Sequence, residues 1–182
     1  FSGAILPSSS ASAQDKINVE YKLPKNGNEV IFVYDEQNGF TPPRKSSAPV
    51  FLLRANGSIE MPSLYGQGSD IKGKISAREL QEFLHFVIAE NKFVEFDAST
   101  VQGQIEELRK KRQIPQIADA PDSIFQLSLP GRSQSVRQEA VGMPSEYKEV
   151  TALQQLLTIR KGINKLMSET RVGGKEGIKR LL

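Results

Sequence analysis

Pro49-Val50-Phe51-Leu52-Leu53-Arg54-Ala55-Asn56-Gly57-Ser58-Ile59-Glu60-Met61 decides the architecture of this chain. Two short apolar runs, Val50–Arg54 and Ser58–Met61, flank an Asn-Gly pair. Asn-Gly favours a type I′ turn, because both central residues of that turn need a positive φ. The stretch therefore predicts a β-hairpin. Asn56-Gly57-Ser58 also matches a glycosylation sequon, but the turn accounts for it without a sugar.

Upstream, Glu29-Val30-Ile31-Phe32-Val33-Tyr34 is β-branched and aromatic, which predicts a strand. Its apolar residues are continuous, so both of its faces are expected to be covered, by a helix and by the N-terminal arm. Gln14 to Asn28 is polar, with one alternating run (Ile17 to Tyr21), and reads as an extended arm or an edge strand. Pro42 and Pro43 make a ladder between 38 and 47 improbable on chemistry alone, since proline donates no backbone hydrogen bond.

Downstream, Ser63 to Lys74 carries Gly66, Gly68 and Gly73 and reads as a flexible loop. It lacks the Gly-Lys-Ser/Thr of a phosphate-binding loop. Ser76 and Glu79 form a capping-box pair, followed by an apolar stripe at helical spacing: Leu80, Phe83, Leu84, Val87 and Ile88. That helix is expected to end at Asn91 in a left-handed conformation. Asp97 or Ser99 caps a second helix that ends in Arg109-Lys110-Lys111-Arg112. Ser123 to Leu129 and Ser133 to Val141 predict a second hairpin around Pro130-Gly131, its second strand polar and edge-like. Met143 to Glu146 opens a last helix, with Ser145 as its cap and Gly173-Gly174 as its end.

Two successive hairpin-plus-helix units make this an α+β chain, an antiparallel sheet with helices packed on one face. The expected division is a signal-peptide remnant at 1–13, an arm at 14–28, one α+β domain at 29–168 and a flexible basic tail at 169–182. Phe1, Ala4, Ile5 and Leu6 read as the end of an apolar leader, and Ala11-Ser12-Ala13 supplies the small residues a signal peptidase accepts. Cleavage after Ala13 would make the protein periplasmic or secreted.

With 182 residues, 38 % hydrophobic and 25 % charged, the chain suits one globular core. It contains no cysteine, which removes disulfides, thiol nucleophiles, lipidated cysteine and thiolate metal sites. No run approaches the ~18 apolar residues of a membrane span. A net charge of +3 is too mild for the concentrated basic footprint of a nucleic-acid binder.

Chemistry-bearing residues are sparse. His85 is the one histidine and sits between stripe residues of its helix, so it reads as a boundary residue. No H-E-x-x-H, G-x-S-x-G or calcium-loop motif is present. Glu90, Glu95 and Asp97 cluster near a helix end, where a solvated terminus with an N-cap is the favoured account over a paired-carboxylate site or a calcium ligand set; a carboxylate-only hydrolase would need two of Glu90, Glu95, Asp97, Asp119 and Asp122 to converge. Arg109, Lys110, Lys111 and Arg112 are the candidate polyanion-binding residues, set against a plain helix terminus. No cofactor is called for.

Leu53-Arg54-Ala55-Asn56-Gly57, Ile75-Ser76-Ala77-Arg78-Glu79-Leu80, Asp119-Ala120-Pro121-Asp122 with the strand after it, and the Leu-rich final helix together resemble a little-characterised group of exported bacterial proteins, planctomycete-like in their leaders. The resemblance spans about residues 30–168. It implies an uncharacterised α+β domain and hands over no catalytic residues. The expectation is therefore a non-enzymatic exported domain, binding an envelope protein or serving a structural role, with its oligomeric state open. Exposed strand edges such as Ser133–Val141 could accept a partner strand.

Overall fold

A computed structural model describes residues 19–37, 48–63, 69–112, 121–139, 141 and 146–174. The stretch 1–13 expected to be a leader, the proline-containing stretch 41–47, Asp119, Ser145 and the segment 175–182 lie outside the described residues.

The chain is α+β. Strands β1 (Val30–Gln37), β2 (Phe51–Arg54), β3 (Ser58–Met61), β4 (Ile71–Lys74), β5 (Asp122–Leu129) and β6 (Arg132–Gln138) form one antiparallel sheet in the order β4-β3-β2-β1-β5-β6. The first unit is thus a four-stranded meander. The second hairpin returns to the other side of β1, with Phe32 opposite both Leu53 and Leu127. This places β1 inside the sheet and leaves β4 and β6 at its edges.

The loop expected over Ser63 to Lys74 is corrected at its end, where Ile71–Lys74 pairs with β3. Its single apolar residue gave no alternation to read. Gly73, which suggested a loop, is there because a Cβ would collide with the Thr170 side chain.

The Asn-Gly hairpin forms, but its turn differs from the expected type. Gly57 alone has a positive φ, 82°, and its N–H donates to the Arg54 carbonyl at 2.9 Å. This is a three-residue loop closed by a left-handed glycine. The cause is tertiary. Ala55 N–H donates to Glu29 O (2.9 Å) and Asn56 N–H to Gly27 O (2.8 Å), which holds both residues away from positive φ.

Helix α1 (Ala77–His85) opens with the expected capping box: Glu79 N–H donates to Ser76 Oγ (3.2 Å) and Ser76 N–H to Glu79 Oε2 (2.9 Å). The whole stripe from Leu80 to Ile88 is buried. The helix continues as a wider turn, Phe86–Glu90, and stops at Asn91. Asn91 is not left-handed (φ −104°), because its side-chain amide donates to Phe86 O at 2.8 Å; Lys92 takes the left-handed position instead, φ 49°.

A 3-10 turn (Phe93–Glu95) leads to α2 (Ala98–Arg112), which Asp97 caps with bonds from Ser99 N–H (2.9 Å) and the Thr100 hydroxyl (2.7 Å). Helix α3 spans Thr151–Arg171 and starts later than expected. Tyr147 and Val150 share the helical spacing but lie in a turn, where Val150 N–H donates to Tyr147 O at 3.0 Å and both are buried. Gly173 and Gly174, both with positive φ, follow the helix.

The core lies between the helices and one face of the sheet. Phe32 meets Phe83 of α1 edge-on at 5.2 Å and Phe93 at 6.1 Å; Tyr34 packs on Phe125 at 5.0 Å. The continuous apolar run of β1 is explained by a register shift between Val30 and Phe32, which lets consecutive Ile31 and Phe32 both be buried. It does not require a second covering layer, and Val33, Leu52 and Ile124 on the opposite face are only half-buried.

The described part of the arm forms no strand. Tyr21 is held by Gln81 of α1, whose Oε1 accepts from Tyr21 N–H (2.8 Å) and whose Nε2 donates to Tyr21 O (3.0 Å). One carboxamide thus substitutes for a strand partner.

Candidate functional site

The basic run at the end of α2 does not act as one patch. Arg109 turns toward the core, donating through Nε to the Tyr147 hydroxyl (2.9 Å) and through Nη1 to Glu139 (2.9 Å), with its guanidinium 5.9 Å above the Tyr147 ring. Burial opposes its charge, but Tyr147 and Glu139 outweigh that and raise its pKa. Arg112 forms a two-pronged pair with Glu149 and reaches Glu146 O at 3.3 Å. The Arg112 bonds hold the Glu149 carboxyl below its usual range. Lys110 and Lys111 face solvent. Helical geometry forces this division: positions i and i+3 share a face, and here that face meets the turn before α3. Two arginines therefore fasten α2 to the segment before α3, and two lysines are left for any anion.

A second polar cluster, absent from the sequence reading, joins β1 to α3. The Tyr34 hydroxyl donates to Glu36 Oε1, while Arg160 donates to the Tyr34 oxygen (2.8 Å) and to Glu36 (2.6 Å). Burial, reinforced by the Glu36 carboxylate, pushes the Tyr34 phenol well above its ordinary value of 10.0. A phenol kept protonated, paired with an arginine whose charge is already matched by Glu36, is a structural joint. Its residues are 126 positions apart. The alternation Phe32–Tyr34–Glu36 was the one sequence signal, since it places all three on the helix-covered face.

The four described candidate carboxylates do not converge. Glu90 stands 3.9 Å from His85 Nε2, Asp97 caps α2, Asp122 pairs with Arg137 at 2.9 Å and Glu95 is exposed. Four hydrogen bonds from Ser99 and Thr100 hold Asp97 at a pKa of about 2, as an N-cap requires. Among the described residues, no three His, Asp or Glu side chains are grouped to hold a metal ion. His85 is partly buried, its ring 6.5 Å from that of Tyr21 and its Nδ1 without a partner. Its place on the helix boundary agrees with the sequence.

Two of the grooves among the described residues run between the sheet and the helices or between helices. One, of about 480 Å³, lies between β4 and the end of α3 and is lined by Lys72, Lys74, Glu79, Leu166 and Glu169. The other, about 380 Å³, lies between the starts of α2 and α3 and includes Lys92, Asp97, Thr100 and Gln155. Charges of both signs line each, and the hydroxyl–carboxylate contact in the second, Thr100 to Asp97, is the cap of α2.

The strand edges differ in chemistry. Strand β6 closes on β5 across Pro130-Gly131 with Leu129 opposite Arg132. Antiparallel alternation then directs the N–H and C=O groups of Ser133, Ser135 and Arg137 outward, and among the described residues no strand pairs with them. Seven residues give an edge of roughly 23 Å. Strand β4 is shorter. Ile75 N–H donates to Gly57 O (3.0 Å), and the same alternation directs Lys72 and Lys74 outward. Lysines on an edge discourage strand addition.

No family model, curated protein or solved structure matches this chain. Among the described residues, no helix is long and apolar enough to cross a membrane.

Proposed function

We propose that this is an exported, non-enzymatic domain of the cell envelope that binds a partner protein through the β6 edge. One observation carries the reading: Arg132–Gln138 is an outer strand whose outward residues are two small serines and Arg137, already paired with Asp122, whereas the opposite edge carries lysines. A strand added there gains backbone hydrogen bonds irrespective of its sequence, and the pockets of alternate side chains supply specificity. The structural employment of Arg109, Arg112, Asp97 and Asp122 supports binding over catalysis, since these four side chains are engaged in holding the fold. The Ala11-Ser12-Ala13 leader supports export, and the family resemblance supports an α+β envelope domain.

The test is site-specific photo-crosslinking in cells that make the protein, with the crosslinker at Ser133 or, as a control, at Lys111. A discrete adduct from Ser133 in the envelope fraction, absent from Lys111 and lost with Ser135→Pro, is the expected result. Equal labelling from both positions, or no adduct from Ser133, overturns the reading.

A further inference from the structure

The β6 edge is closed by one of its own side chains. Gln134 points to the helix-covered face, where its Nε2 donates to Phe96 O (3.0 Å) and Val94 O (3.4 Å). Its Oε1 accepts the N–H of Ser135 at 3.0 Å. Ser135 is the middle of the three outward-facing residues, so the bond occupies the central donor of the edge. The carboxamide ties that donor to the backbone after α1, where the 3-10 turn has two carbonyls to offer.

The same edge is self-complementary. Antiparallel pairing of two β6 strands about Ser135 sets Ser135 against Ser135, Ser133 against Arg137, Gln134 against Val136 and Arg132 against Gln138. No two like charges stand directly opposite each other in this ladder. The same operation on β4 about Gly73 sets Lys72 against Lys74 and is opposed. Every centred or shifted antiparallel register of β6 that keeps two outward residues in the ladder uses Ser135 N–H.

We infer that the β6 edge is an interface for a second copy of this chain and that Gln134, by holding Ser135 N–H, is the latch that must swing away before the two strands pair. This rests on the strand-acceptor reading of β6 and names its partner. The joined sheet would run through twelve strands, with the helices of both copies on the same side.

Sedimentation equilibrium of the intact chain tests it. Gln134→Met keeps the volume of the side chain and removes its hydrogen bonds, and self-association at least tenfold tighter than that of the unsubstituted protein is expected. Adding Ser135→Pro, which takes no bond from the β5 ladder, must abolish the gain. Unchanged association in Gln134→Met, or association that survives Ser135→Pro, overturns the inference. If Gln134→Met fails to fold, amide exchange in the unsubstituted protein still decides: Ser135 must exchange at least tenfold more slowly than Ser133 and Arg137, and equal rates remove the latch. A Ser133 crosslink to a different envelope protein, with no association response in Gln134→Met, would sink this inference and leave the strand-acceptor reading standing.

Discussion

Replacing Gly57 by alanine tests the turn that organises the first four strands. Gly57 has φ 82°, and a Cβ there would sit 2.5 Å from the carbonyl oxygen of Ile75, a backbone atom with little freedom to move. The left-handed conformation costs alanine about 1 kcal/mol. Relieving the clash means pushing β4 away, which weakens the Ile75 N–H to Gly57 O bond, another ~1 kcal/mol, and loosens the packing of Ile75 by a similar amount. The sum is about 3 kcal/mol.

Gly131 is the control. Its φ is 75°, almost the same, but a Cβ there meets nothing within 4 Å. Gly131→Ala is therefore expected to cost only the conformational part, about 1 kcal/mol. At roughly 3 °C per kcal/mol for a chain of this size, the thermal midpoints should fall by about 9 °C and 3 °C. Urea unfolding with an unchanged m value confirms that folded-state stability has changed. If the two variants agree within ~0.5 kcal/mol, the close approach of Ile75 is not what makes glycine necessary at position 57, and the account of this turn fails.

The joint between β1 and α3 predicts an alkaline limit. Tyr34 has a folded pKa above its unfolded value of 10.0, so its contribution is complete below pH 10 and is lost as pH rises toward the folded value. Stability measured by denaturant from pH 8 to 12 should decline above pH 10, with a smaller decline in Tyr34→Phe; identical slopes would refute the joint. The divided basic run predicts unequal alanine scans. Arg109→Met, which strips the bonds to Tyr147 and Glu139, is expected to cost about 2 kcal/mol, and Lys110→Ala less than ~0.5 kcal/mol, both read from urea midpoints.

Local chemistry was legible wherever a residue answers to its immediate neighbours. The capping box at Ser76 and Glu79, the cap at Asp97, the stripe from Leu80 to Ile88 and the two hairpins all follow from spacings of a few residues, and all are present. The Asn91 end, the later start of α3 and the Asn-Gly turn type were not legible. In each case, a bond to a more distant or competing partner selected one of several conformations open to the local sequence.

Strand β4 shows the limit most plainly. Ile71-Lys72-Gly73-Lys74 has almost no strand character, and becomes a strand only because β3 offers a ladder and Thr170 leaves room for no side chain at position 73. Which polar residues meet was likewise beyond the sequence. Arg160 lies far along the chain from Tyr34 and Glu36, as Gln134 does from the carbonyls of Val94 and Phe96, and each set comes together only when helices dock on the sheet. Composition and periodicity thus determined the class of fold and its local elements, whose energies are short-range. The order of the six strands, the division of the basic run and the closing of the β6 edge were decided by packing, because each depends on groups that chain connectivity alone does not bring near.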